Sequence, residues 1–245
     1  SNLYDRRTPY VLQYLFNVQR EFGNNMALEV GYLGSMSRKL ESLRAVNEAL
    51  PGATGSVISR SPYPNFGRIQ LVDNGGRGNY NSLGMKFTKK YSNGMSALMS
   101  YTWAKSIDET SGIRNNDGDT LFPQNSYCRA CERARSAHDV RHRLVTSTLW
   151  DLPFGDGRRY TIDNPVAHAI AGGWQASTII TLQSGFPLTV TNGQDTSNTG
   201  GFFDRPNATG QKPELDRGAQ DPQRFFNTGA FVINNRGQFG NVGRN

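Results

Sequence analysis

Residues 10–22 alternate. Tyr10, Leu12, Tyr14, Phe16 and Val18 occupy one parity, with Gln13, Asn17, Gln19 and Glu21 on the other. A period of two with large apolar groups on one side is the pattern of a β-strand. Gly23-Asn24-Asn25 supplies turn chemistry, and Met26, Leu28, Val30 and Tyr32 then alternate with Ala27, Glu29 and Gly31. The two runs predict a hairpin. A second hairpin is predicted from Leu83, Met85 and Phe87, the pair Asn93-Gly94, and a return run carrying Met95, Ala97, Met99, Tyr101 and Trp103. In a third pair, Leu144, Thr146, Thr148, Trp150 and Leu152 are followed by Trp174, Ala176, Thr178, Ile180 and Leu182, the alternation continuing through Phe186, Leu188 and Val190. The hairpins span about 10–40, 68–108 and 138–191.

The connections are unequal. Those at 23–25 and 92–94 are tight and that at 153–172 is moderate, whereas those at about 41–67, 109–137 and 192–245 are long and rich in Gly, Asn, Asp and Pro. Short turns at one end and long loops at the other characterise outer-membrane barrels. The polar parity also argues for a membrane. A soluble sandwich turns a charged face to water, but here the second face is mostly Gly, Ser, Thr, Asn and Gln. The apolar face carries no charge over about ten residues per strand, close to the ~9–11 needed to span a bilayer. Lys89, beside the Asn93-Gly94 turn, is the exception. Gln175, Ser177, Thr181, Gln183, Arg143, Lys86 and Glu29 are expected to line a lumen.

Composition agrees. The 245 residues are 36% hydrophobic and 19% charged, with 27 Gly, which is sparse in apolar residues for a soluble core. Thirteen Phe, ten Tyr and three Trp argue against disorder. No apolar run approaches the ~20 residues of a spanning helix. The net charge of +7 is scattered, which disfavours nucleic acid and suits anionic lipid head groups. Its densest run, Arg129, Arg133, Arg135, Arg141 and Arg143, is interrupted by Glu132 and Asp139.

Several segments then resemble TonB-dependent outer-membrane receptors, most closely the Oar-like members that carry a carboxypeptidase-regulatory-like domain. They are SPYPNFGRIQ (Ser61 to Gln70), GNYNSLGMKFTKKYSNGMSALMSYTWAKSID (Gly78 to Asp108), HDVRHRLVTSTLWDLPFG (His138 to Gly155), GGWQASTIITLQSGFPLTV (Gly172 to Val190) and FGNVGRN (Phe239 to Asn245). The resemblance implies an all-β, antiparallel transmembrane barrel of about 22 strands with long extracellular loops. It also implies a plug domain and energy from TonB. No plug, TonB box or terminal aromatic strand is recognised. Residues 1–245 are therefore expected to be a partial barrel domain of about six to eight strands, cut from a longer protein.

The resulting expectation is a cell outer-membrane receptor importing a siderophore, oligosaccharide or peptide. Its partners would be outer-membrane lipid, lipopolysaccharide, the plug and TonB. The alternative is a surface β-domain that binds glycans or another cell. No cofactor is expected. Neither Asp108 with Glu109 nor Asp139 with His138 converges on one atom along a strand, so no enzyme is expected. Cys128 and Cys131, with His138 and His142, use zinc-ligand residue types at a short spacing; a local disulfide, free thiols and a metal site remain open. Asn115 to Asp119 resembles a calcium-loop fragment without its distal glutamate. Tyr63, Phe66, Phe202 and Phe203 are loop aromatics able to stack on a ligand.

Overall fold

A computed structural model describes residues 4–112, 120, 122–201 and 203–245. Six long strands form one antiparallel sheet: β1 (Tyr10–Phe22), β2 (Met26–Ala45), β3 (Gln70–Ser92), β4 (Met95–Asp108), β6 (His142–Asp151) and β7 (Gln175–Gln183). Their order is β1-β2-β3-β4-β6-β7, and the short β5 (Ala134–Arg135) pairs with the far end of β4. A separate two-stranded sheet joins β8 (Asn207–Ala208) to β9 (Phe231–Val232). Two short helices, α1 (Val57–Arg60) and α2 (Pro165–Ala171), lie in connections. No helix among the described residues is long and apolar enough to cross a membrane, which says nothing of strands.

Every long strand pairs with its neighbour in the expected parity. One row runs Val18–Val30–Met85–Tyr101–Leu144–Leu182, and the next toward the loop end runs Phe16–Tyr32–Leu83–Trp103–His142. The apolar face is thus continuous across six strands. It buries almost nothing against the chain itself: Leu12, Phe16, Trp103, Trp150 and Leu182 all stay exposed. Among the described residues, the buried apolar side chains are six alanines, Phe122, Pro187 and Pro206. A soluble sandwich would bury this face under a second layer.

Turn chemistry acts as expected. Asn93 and Gly94 both adopt positive φ (51° and 72°), the backbone of a type I′ hairpin whose twist suits the flanking strands. Lys89 is accommodated because its ammonium turns away from the apolar face. It donates to the carbonyls of Ser92 and Met95 at 3.0 and 2.8 Å. Arg20, also on this parity, lies over the Phe22 ring at 5.5 Å, directed toward the turn end. The 152–174 connection is tied down by Asp151, which accepts from Arg158 (2.6 Å), Gln175 (2.7 Å) and the Tyr91 hydroxyl.

Three features differ from the sequence reading. Residues 184–190 do not extend β7, because β6 begins at His142. Once Ser184 has donated to the His142 carbonyl (2.9 Å) there is no partner strand among the described residues, and Pro187 has no N–H to offer. β2 and β3 are longer than expected. At about 3.3 Å per residue they exceed any bilayer span and rise beyond it as a ribbon. Finally, the second face is not uniformly hydrophilic. Leu15 opposes Leu33, and Leu98 and Ile179 both flank Ser147 on that face.

Candidate functional site

At the loop end the long connections fold together into a cap, and its interior is polar. Glu132 and Asp139, the acids that interrupt the arginine run, are only 2% and 1% exposed. Glu132 accepts from Arg205 Nη1 (2.6 Å) and Nη2 (3.1 Å) and from the Gln124 amide (3.1 Å). Arg205 Nε donates to the Val242 carbonyl (2.9 Å), and Arg244 joins the Glu132 carbonyl to Asp108. Asp139 accepts from the Ser106 amide (2.7 Å) and Arg135 (2.8 Å), fixing β5 against β4. Asp195 and Asp204 gather the Ser197, Thr199 and Gly200 amides, so the 192–205 loop wraps around two carboxylates. Such networks hold a unique conformation only when nearly every member is satisfied.

Two titratable groups show opposite environments. Burial pushes the Glu48 carboxyl above its ordinary value; hydrogen bonding from Ser126 and the Arg68 guanidinium, 3.9 Å away, offset this only in part. Its Oε1 is buried with no hydrogen-bond partner. For Asp73, burial also acts upward but is outweighed. Ser42 Oγ (2.6 Å), the Gly75 amide (3.2 Å), Arg129 (2.6 Å) and Arg44 (2.8 Å) hold it below its ordinary value.

The candidate residues separate. Cys128 and Cys131 are joined in a disulfide across the 3-10 turn Arg129–Glu132, so these sulfurs are not thiolate ligands. His142 lies on β6 with its Nδ1 2.8 Å from the Tyr101 hydroxyl, and His138 is exposed in the preceding loop. No three His, Cys, Asp or Glu side chains converge on a metal position among the described residues. Residues 115–119 and Phe202 lie outside the described residues.

The four loop aromatics have different fates. Phe203 stacks on Phe122 at 5.7 Å, and Arg68 covers both rings, so Phe203 is part of the cap's own packing. Tyr63 and Phe66 remain exposed (54% and 64%) at the two ends of a turn closed by the Phe66 amide on the Tyr63 carbonyl (3.0 Å). The buried Asn47 side chain fixes this turn, donating to the Tyr63, Phe66 and Gly67 carbonyls and accepting from the Tyr63 amide (2.8 Å). A feature missed in the sequence is a cleft of about 900 Å³, walled by Phe186, Leu188, Phe225, Phe226, Phe231 and Val242. Its only sequence signal was the alternation continuing beyond Gln183.

An antiparallel sheet with a lipid-type face on one side, short turns at one end and a folded cap at the other is a section of membrane barrel wall. A family model described as an outer membrane beta barrel domain matches residues 2–245, and the chain belongs to that family. The protein is accordingly one of the cell outer membrane. The structure is similar to the outer membrane transporter YddB from Escherichia coli, with 15% identity and a TM-score of 0.39 over 61% of this chain. The match covers 20% of the transporter, so the chain spans about a fifth of that protein's length. No curated protein matches the chain.

Proposed function

We propose that this chain forms wall and outer loops of an energy-coupled receptor that imports a scarce solute, the TonB-dependent type that its motifs resemble. The loop end faces the exterior and the second face of the sheet looks into the bore. The cap supports this reading: it is held by buried ion pairs, and it presents a cleft of about 900 Å³ and two clamped aromatics. A cleft of that size is in the range that encloses small solutes. No covalent chemistry is assigned to the chain. Loops select and retain the solute, and a plug driven from the periplasm admits it.

Uptake measurements test this. Cells expressing the full-length protein are given a labelled ferric catecholate, maltoheptaose or a mixed tryptic peptide fraction. Accumulation of one of them that stops when a protonophore is added supports the proposal. Accumulation insensitive to the protonophore would mark a passive pore, and surface retention without accumulation a glycan-binding or adhesion module.

A further inference from the structure

We propose that the cleft of about 900 Å³ takes an extended peptide with apolar side chains at alternate positions and a basic group, bound as an added strand along residues 185–191. This rests on the import reading above and narrows it from three solute classes to one.

One wall of the cleft offers unpaired backbone. Beyond Ser184 the chain runs along the cleft from Phe186 to Thr191. The amides and carbonyls of Phe186, Leu188, Val190 and Thr191 make no hydrogen bond among the described residues. None of these residues takes positive φ, and Pro187 biases Phe186 toward β or polyproline II backbone. Phe186 and Leu188 stay exposed on this segment. An unpaired edge of this kind accepts a peptide through main-chain hydrogen bonds, and pockets beside it take alternate side chains.

The opposite wall is preformed. Asp221 and Arg224 exchange both backbone hydrogen bonds (3.2 and 3.1 Å), and Asn227 donates to the Pro213 carbonyl through its amide (2.8 Å) and to the Lys212 carbonyl through its side chain (3.0 Å). The turn so held presents Phe225 and Phe226, the second edge-on to Phe231 at 5.8 Å. Polar side chains of the cleft are spent within the chain. Thr189 Oγ1 donates to Asn245 Oδ1 (2.5 Å), Asn245 Nδ2 to the Arg135 carbonyl (3.0 Å) and Gln220 Nε2 to the Leu215 carbonyl (3.3 Å). Two charged side chains line the cleft. Arg135 is paired with Asp139 (2.8 Å), whereas Glu214 is exposed and forms no ion pair among the described residues. An anionic ferric catecholate therefore meets no unpaired lining cation, and an oligosaccharide meets few free side-chain partners. A basic apolar peptide matches the free carboxylate, the aromatic wall and the free backbone together.

The test titrates the full-length protein in detergent with a fluorescein-labelled peptide that alternates Phe with Thr and ends in Lys, read by fluorescence anisotropy and by hydrogen exchange. Binding should saturate and slow exchange in residues 184–191. Methylating alternate peptide amides should weaken binding about ten-fold. Leu188→Ser and Phe225→Ser should each do the same, and Glu214→Gln should weaken it about two- to four-fold. Ile58→Ser, on α1 and outside the cleft, should leave it unchanged. Equal affinity for the methylated peptide, or displacement by maltoheptaose or a ferric catecholate, overturns the assignment. So does protection of 184–191 before peptide is added, which means that the protein's own chain or a second copy holds the edge. If the Leu188 or Phe225 variant loses the heat-resistant gel mobility of a folded barrel, Glu214→Gln and the methylated peptide decide. Uptake separates this from failure of the import reading. Peptide bound by the purified protein but not accumulated by cells refutes import and leaves the site standing. Protonophore-sensitive uptake of maltoheptaose or the catecholate without peptide binding refutes only the peptide site.

Discussion

Replacing Glu132 by alanine should loosen the cap while leaving the barrel wall folded. Glu132 and Arg205 form a two-pronged ion pair whose side chains are 2% and 4% exposed, and the Gln124 amide depends on the same carboxylate. Removing the acid leaves a guanidinium in the interior with the Val242 carbonyl as its remaining acceptor. Breaking one side of a buried pair typically costs about 3–5 kcal/mol, because the surviving charge is stranded. At 1.36 kcal/mol per decade this is roughly 150- to 5,000-fold faster local opening. Hydrogen exchange followed by mass spectrometry reads it directly. Peptides covering 122–135, 195–206 and 239–245 should lose protection while those from β1 to β4 keep theirs. If the cap's own stability is smaller than the penalty, those peptides reach the rate of an unfolded loop. Combining Glu132→Leu with Arg205→Met should restore most of the protection, since an apolar pair of similar volume strands no charge. Unchanged exchange in Glu132→Ala, or a double variant as exposed as the single one, refutes the claim that this pair organises the cap.

Three further outcomes follow from the same structure. Glu48 has a raised folded-state pKa, so its contribution to cap stability is full below the ordinary 4.5 and disappears as pH rises through the folded value. Glu48→Gln should therefore stabilise the cap at pH 7 and flatten its pH dependence above the ordinary carboxylate range in proteolysis assays; a variant no more resistant than wild type at pH 7 contradicts this. Val30→Arg, at mid-height on the apolar face, should cost about 2–4 kcal/mol in denaturant unfolding from lipid vesicles. Ser100→Arg, on the opposite parity, should cost far less, and equal costs would mean the faces are misassigned. Reduction of Cys128–Cys131 opens a loop of very few residues, so the lost constraint is about 2 kcal/mol. Trypsin should then cut more readily near Arg129 and Arg133, and an identical digestion pattern would show the 3-10 turn to be held without the disulfide, by Glu132, the Arg129–Asp73 pair and its own backbone bonds.

The wall was legible because a strand against lipid obeys one strong rule. Tyr10 to Phe22 and Met26 onward alternate without interruption, and Asn93-Gly94 admits few backbones other than the observed turn. Where a second strand is needed to make a strand, the rule fails: Phe186, Leu188 and Val190 alternate correctly, but no ladder reaches them. The cap was illegible for a different reason. Its polar residues carry no period, and the same composition describes a solvated loop. Glu132 and Asp139 read as breaks in a basic run, yet each is the buried end of an arginine pair. Arg205 lies 73 residues from Glu132, a distance no local pattern bridges. Phe203, expected to meet ligand, is consumed by Phe122 and Arg68, while Tyr63 and Phe66 stay free because Asn47 holds their backbone from behind.

The two halves of the molecule therefore draw stability from opposite sources, and this explains the near absence of a buried apolar core. The wall turns its large side chains outward, so its apolar surface is satisfied by lipid, and alternation suffices to specify it. The cap stands in water beyond the bilayer, and among its described residues apolar burial is limited to small alanines, two prolines and Phe122. Hydrogen-bonded charges must then fix its shape, and they do so only as a complete set. Substitutions should accordingly be tolerated on opposite grounds. On the wall, apolar residues exchange freely but a charge does not. In the cap, loss of one carboxylate is severe, because each holds segments distant in sequence: Asp108 with Arg244, Glu132 with Arg205, Asp73 with Arg44 and Arg129. The same long-range ties let a cap built from separate connections keep the Asn47-clamped turn and the 900 Å³ cleft in fixed form.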